Sequence, residues 1–325
     1  MKKAILVAAL ILAGSGLASA QNLGENLGQV SSQYARAYVT PAANAFGADL
    51  NSGLFHTASV GGALPFGLKV YVGVQVAGAF VPSSDKSFSL TYQDTMEFTD
   101  PLGISHRVPA TFTTTNAPTI FGSKTKGTIK ITPNDSSYRA YGESESSIGG
   151  LISASIAPIP IPQIGLGSLF GTDVVVRFLP KIKYQSYGSV QMFGLAVRHD
   201  ISQYIPFCPV DIAAEIGFQN LGISDSSGSS IFKTSTFAAN LEVSKTFAVV
   251  TVYGGLQVES SSADVNYTYA PYQNAEPVSV SFDIKGKNKF RALAGLDFGF
   301  GPLTINADYN LGSVSVANVG IGVTI

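Results

Sequence analysis

One cysteine, three histidines, no tryptophan and few charges make up the short side of this chain's composition. Each scarcity excludes something. Cys208, alone between Phe207 and Pro209, forms no internal disulfide and reads as a small hydrophobe rather than a reactive thiol. His56, His106 and His199 are scattered without metal-ligand spacing, so neither a metal nor another cofactor is expected. The net charge is −1, or −3 without Lys2 and Lys3, which is no footprint for nucleic acid. Charged residues are 13% of the total, against about 25% in soluble proteins. Mean hydropathy is nevertheless +0.25. After Ala20 no run approaches the ~20 apolar residues that a spanning helix needs. A hydrophobic chain without such a run can satisfy its backbone in lipid only as a closed barrel.

The start of the chain carries an export pattern. Lys2 and Lys3 form a positive n-region, Ala4 to Ala13 an apolar h-region, and Ala18-Ser19-Ala20 a small-x-small cleavage site. Residues 1–20 are therefore expected to be a signal peptide. The apolar stretch is short for a membrane anchor, and no cysteine near the site offers a lipoprotein attachment.

Residues 21–51 have helical periodicity. Leu23, Leu27, Val30, Tyr34 and Tyr38 recur every three or four positions, with Asn22 available as N-cap and Pro41 as the expected break. The segment is either a periplasmic helix with no particular role or a plug folded against the barrel wall or into its lumen, with those five residues as plug candidates.

Residues 52–325 switch to a period of two, the signature of strands whose side chains alternate between faces. Val70, Val72, Val74 and Val76 alternate with Lys69, Tyr71, Gly73 and Gln75. Ile212, Ala214, Ile216 and Phe218 alternate with Asp211, Glu215, Gly217 and Gln219. The stretches around Leu241, Leu256 and Ile305 repeat the pattern. A soluble β-sandwich alternates too. Strand candidates near ten residues long, polar faces rich in Gly, Ser, Asn and Thr, and aromatics near strand ends favour a transmembrane barrel. With tryptophan absent, residues such as Tyr184, Tyr187, Tyr204, Phe207, Phe247, Tyr267, Tyr269, Phe298 and Phe300 would form its girdles.

Tight turns are expected at Leu64–Gly67, Ser244–Thr246 and Gly299–Pro302, and longer loops at Ser224–Ser230 and Ser260–Pro277. Residues 82–145 form the largest irregular block, either an excursion with its own hairpins or additional wall strands. About eleven strands are visible, beginning near Leu54, Lys69, Ser147, Asp173, Gly188, Val210, Thr236, Ala248, Lys289, Leu303 and Val314. Bacterial barrels normally have an even count, so the expectation is an antiparallel transmembrane β-barrel of about 12–14 strands with a short N-terminal helical segment.

The polar faces together define a candidate lumen. It holds Asp173, Arg177, Arg198, Asp211, Glu215, Glu242, Glu259, Arg291, Asp297 and Asp308. These charges either select what passes or pair with one another to fill a narrow interior. His199 beside Asp200 is not accompanied by a distinctive serine motif, so no enzyme is expected.

Leu50–Ala58, Pro118–Gly122 and Arg198–Pro206 resemble segments of a family of Bacteroidetes-type outer-membrane barrels, distantly similar to the long-chain fatty-acid transporter barrels. The resemblance implies hydrophobic transport, with 22–50 in the position of an N-terminal hatch. It transfers no cargo-binding residue, and Ile325 departs from the terminal aromatic of many outer-membrane proteins. The expected role is passive transport of a small or hydrophobic solute across the outer membrane, with a non-transporting structural or secretion-associated scaffold as the alternative. The expected partners are outer-membrane lipid and that solute, with no nucleic acid.

Overall fold

The computed structural model describes residues 23, 27–28, 30–61, 68–183, 188–269 and 276–325. The expected signal peptide at 1–20, the Asn22 cap, the turn at Leu64–Gly67 and the girdle candidates Tyr184 and Tyr187 lie outside these residues.

One long helix precedes the strands. α1 (Ser32–Leu50) is capped by Ser31, whose Oγ accepts from the Tyr34 N–H. It runs through Pro41 instead of ending there. Proline removes one amide donor and crowds the turn before it. Neighbouring carbonyls find other donors: Thr40 Oγ1 bonds Arg36 O at 2.6 Å, and the Ile120 amide bonds Tyr38 O at 3.1 Å. Tertiary packing thus carries the helix past its expected break.

The strands are β1 (Lys69–Phe80), β2 (Ser87–Thr99), β3 (Ser105–Pro118), β4 (Thr128–Pro133), β5 (Glu143–Ser146), β6 (Ile156–Leu169), β7 (Thr172–Lys183), β8 (Ser189–Asp200), β9 (Asp211–Ser224), β10 (Ser230–Phe247), β11 (Val250–Tyr269), β12 (Val278–Lys285), β13 (Phe290–Phe300), β14 (Leu303–Leu311) and β15 (Val316–Thr324). Antiparallel pairing runs β10-β9-β8-β7-β6-β1-β15-β14-β13-β11, and β11 pairs back onto β10. The ring is closed and has ten staves, fewer than the 12–14 expected. The region from Leu54 is not a strand; an irregular segment occupies 51–61. Without it, the remaining ten candidates already satisfy the even count.

β12 is not an extra stave. It pairs with the far half of β11 (Ser262↔Lys285 to Tyr269↔Val278), while β13 pairs with the near half (Val250↔Phe298 to Val258↔Phe290). The two strands are halves of one stave, interrupted at 286–289. Within 82–145, β2 to β5 make a separate four-stranded antiparallel meander rather than wall strands.

The barrel has two unlike ends. At one, the connections 170–171, 248–249 and 301–302 are two residues long, and β1 starts and β15 finishes there. At the other, β1 and β6 diverge into the four-stranded sheet. Exposed aromatics cluster at the turn end: Phe170, Tyr204, Phe207, Phe247 and Phe300. Tyr267, expected in a girdle, instead points inward and donates to Val30 O at 3.2 Å.

Polarity along a stave changes sign. On β10 and β11 the turn-end half exposes Leu241, Val243, Val252, Leu256 and Val258 and buries Asn240, Glu242, Tyr253, Gln257 and Glu259. The sheet-end half exposes Lys233, Ser235, Asp264 and Asn266 and buries Phe232, Ala263 and Val265. Those last three join α1, Leu23, Leu27, Val30 and the inner face of the four-stranded sheet in one apolar core. The sheet end is organised like a water-soluble domain and the turn end like a body in oil.

Candidate functional site

The charged residues converge on the chain's own N-terminal segment. From the end of α1 the chain enters the turn-end half of the barrel and runs through it as 51–61 before β1 begins. Inward positions of successive staves fall at one level because cross-strand pairs share a face. Register places Asp173 opposite Arg198, Arg198 opposite Glu215, Glu215 opposite Asn240, Asn240 opposite Gln257 and Gln257 opposite Arg291. The strand pattern alone therefore builds a polar girdle around the lumen.

Three arginines grip the last turn of α1 and the backbone threaded beyond it. Arg177 donates to Leu50 O at 3.0 Å and also to Gly53 O, braced by Gln163 and Gln219 at 3.0 and 2.9 Å. Arg198 donates to Thr57 O and holds Asp173 at 2.5 Å, with Glu242 3.7 Å away. Arg291 donates to Ala48 O at 2.9 Å and pairs with Glu259 at 3.0 Å. A planar guanidinium suits this work, since it can meet a carbonyl and a side-chain oxygen at once.

The other wall contacts are mostly neutral. Asn51 donates to Phe237 O and Ser260 O at 3.2 and 3.3 Å, and Ser52 to Asn318 Oδ1 at 3.0 Å. The Ala58 amide donates to Ser244 Oγ at 2.9 Å. Asp308 accepts from Tyr253 Oη at 2.9 Å and from Asn318 at 2.7 Å. His56 lies 3.5 Å from Asp297 and packs on Tyr71. That tyrosine lies across Gly73 and Gly322, where a Cβ would overlap its ring. Glycine on the inward face is what lets the ring lie flat against the wall.

Of the ten candidate lumen residues, nine are buried and face this interior; Asp211 is half-buried at the turn-end mouth, within 3.4 Å of Ser244 Oγ. The carboxylate oxygens of Glu215 and Glu242, and both side-chain polar atoms of Asn240, Gln75 and Asn306, have no hydrogen-bond partner among the described residues. Leu23, Leu27, Val30, Tyr34 and Tyr38 are all buried, but in the apolar core of the sheet end rather than among the charges. Sequence reasoning missed 51–61 as the threaded element, together with Gln163, Gln219, Asn310 and Asn318. The signal for the four side chains was present, because each stands on the polar face of an alternating strand. His199, weighed with Asp200 as a catalytic hint, contacts Thr172 Oγ1 and Tyr204 Oη at 2.9 and 3.0 Å.

Fold and interior together define a ten-stranded antiparallel β-barrel with a polar lumen occupied by its own N-terminal segment. The chain belongs to the family described as "Family of unknown function (DUF6588)", whose model matches residues 1–325. No curated protein matches it. Among solved structures it is similar to the attachment invasion locus protein Ail of Yersinia pestis, at 17% identity over 45% of this chain and 91% of that one, with a TM-score of 0.23. It is also similar to the translocator domain of the autotransporter NalP from Neisseria meningitidis, at 14% identity over 79% and 88%, with a TM-score of 0.31. OmpF of Salmonella typhi matches at 7% identity over 79% and 97%, with a TM-score of 0.20. The barrel assignment stands on the strand register itself. Neither a Bacteroidetes origin nor a likeness to fatty-acid transporters is shown by these matches.

Proposed function

We propose that this is an integral outer-membrane barrel that is sealed at rest by residues 51–61 and passes a small solute only when that segment shifts. The outward Val, Leu, Ile and Phe belt of the turn-end half supports a membrane location, because a soluble barrel would put that surface inside. Three two-residue turns and both wall termini at one end support an orientation with that end in the periplasm and the four-stranded sheet outside.

One observation carries the gating reading: apart from Leu54 and Phe55, the seal is held by polar contacts. Arg177 and Arg198 hold backbone carbonyls that water could serve equally well, and the buried side chains of Asn240 and Asn306 on the same lumen wall have no hydrogen-bond partner among the described residues. Buried groups of that kind recruit water. Displacing such a segment exchanges protein hydrogen bonds for hydration, whereas apolar packing would resist separation.

Planar-bilayer recordings test this. The intact protein should be nearly silent. Arg177→Ala or Arg198→Ala should produce step conductance, and a disulfide between Ser52→Cys and Asn318→Cys should restore silence. Persistent silence in both arginine variants, with folding checked by heat-modifiable migration, would favour the second reading. That reading is a non-transporting scaffold whose four-stranded sheet meets a partner, and the exposed Leu102 and Ile104 at the β2–β3 hairpin tip speak for it.

A further inference from the structure

The barrel wall is not zipped all the way up. β6 and β7 pair from Leu169↔Thr172 only as far as Gln163↔Arg177. Beyond that point β6 continues against β1 to Ile156, and β7 continues against β8 to Lys183. Among the described residues no register joins these upper halves to each other.

The cause is written in β6, which reads Ile156-Ala157-Pro158-Ile159-Pro160-Ile161-Pro162. Alternate residues of a strand direct their amides to the same edge. The Val81 amide donates to Ser155 O at 2.8 Å, which turns the odd-numbered residues of β6 toward β1 and the even-numbered ones toward β7. Pro158, Pro160 and Pro162 therefore strip three donors from the edge that should meet β7. Across the gap, Pro180 sits where the β7–β8 register shifts between Leu179 and Ile182.

At the fork lies a groove of about 380 Å³ on the outer face, lined by Val72, Val74, Pro162, Val176, Phe178 and Ile321 among others. It opens onto the apolar belt. Exposed Lys181 and Lys183 stand at the sheet end of β7. On the other border Lys86 Nζ donates to Ser155 Oγ at 2.8 Å, one residue before β6 begins.

We propose that this proline-edged seam is a lipid-binding slot: one acyl chain of a phosphate-bearing lipid lies in the groove and fork, and its headgroup meets Lys181, Lys183 and Lys86. The inference rests on the membrane location proposed above. On that face only hydrocarbon reaches the groove, so an acyl chain is its natural filler. The lysines at the polar end of the slot select an anionic headgroup.

The experiment places the full chain in phosphatidylcholine vesicles containing a minor share of phosphatidylglycerol with a photoreactive acyl chain. Crosslinks should concentrate on residues 156–164 and 176–183, about tenfold above the belt of β9 and β10, the ratio for a preference of roughly 1.4 kcal/mol. Lys181→Gln with Lys183→Gln should bring labelling by the anionic probe down to that of a photoreactive phosphatidylcholine. Restoring the donors with Pro158→Thr, Pro160→Val and Pro162→Val should zip the seam and lower labelling there to the belt average. Even labelling around the wild-type belt would overturn the slot and leave the membrane location intact. No labelling anywhere would overturn the membrane location itself. If the proline variant fails to fold, the wild-type map and the lysine variant still decide.

Discussion

On β11, Val252, Leu256 and Val258 face out in the half nearest the turns, while Asp264, Asn266 and Thr268 face out in the half nearest the four-stranded sheet. Tyr253, Gln257 and Glu259 face in below, and Ala263 and Val265 above. The period is two throughout, and odd-numbered residues point inward from Thr251 to Tyr267. Only the chemistry of the two faces trades places. A strand's alternation therefore reports that its two sides meet different surroundings, and the surroundings decide which side is greasy. The sheet end, polar outside, packs apolar side chains around α1. The turn end, apolar outside, keeps its polar groups for the lumen and spends its arginines on the backbone at and beyond the end of α1.

This contrast can be broken by substitution, and the largest effect should come from large-to-small changes. Phe232→Ala should cost about 3–5 kcal/mol, because it empties a packed position beside Phe46 in the apolar core. Phe218→Ala, facing out in the belt, should cost far less, since lipid fills the space. Urea unfolding in lipid vesicles compares the two, and equal costs would deny the difference between the halves.

A charge placed outward sharpens the same point. Leu256→Arg should cost about 2–4 kcal/mol if the belt lies near the bilayer midplane. Asn266→Arg, on the same face of the same strand, should be close to neutral. A neutral Leu256→Arg would argue that the belt is not in hydrocarbon.

Smaller effects probe the sheet end alone. Ser31→Ala removes the cap of α1 and should cost about 1 kcal/mol, seen as earlier amide exchange in the first helical turn. The smallest concerns pH at the β2–β3 hairpin. His106 Nε2 lies 2.9 Å from Asp100, whose carboxyl is held below its ordinary range first by that hydrogen bond and then by the Ile104 amide. A depressed carboxylate stabilises the hairpin above its unfolded pKa of about 3.9 and loses that contribution as pH falls through the lower folded value. Hairpin protection measured by hydrogen exchange should therefore decline below about pH 4, and Asp100→Asn should remove the dependence.

Much of the wall was legible because alternation is local. Each of Glu215, Arg291 and Asp308 could be assigned to the polar face from its immediate neighbours, and the structure turns all three inward. The strand count went astray at Leu54, where Leu54, Phe55 and His56 resemble a strand start but serve the lumen as filling. Leu54 packs on Ala196 and Ala238, and Phe55 lies edge-on to Tyr253. Pro41 misled for a related reason, because what holds the helix past it is burial of residues on both sides, Tyr38 and Val39 before and Ala42 to Ala45 after, against parts of the chain far away in sequence. Tyr267 looked like a girdle residue because it is aromatic and near a strand end, yet it lies in the half whose inside is apolar.

By itself the sequence determined that the chain builds an antiparallel barrel with one greasy and one polar face per strand, since period-two patterning and low charge leave few other ways to satisfy the backbone. Only the tertiary structure decided that the polar lumen is filled by 51–61, that the faces exchange character partway up the wall, and that β6 and β7 part company beside three prolines. Those features depend on which residues become neighbours when ten staves close into a ring, and closure joins positions that no local pattern relates.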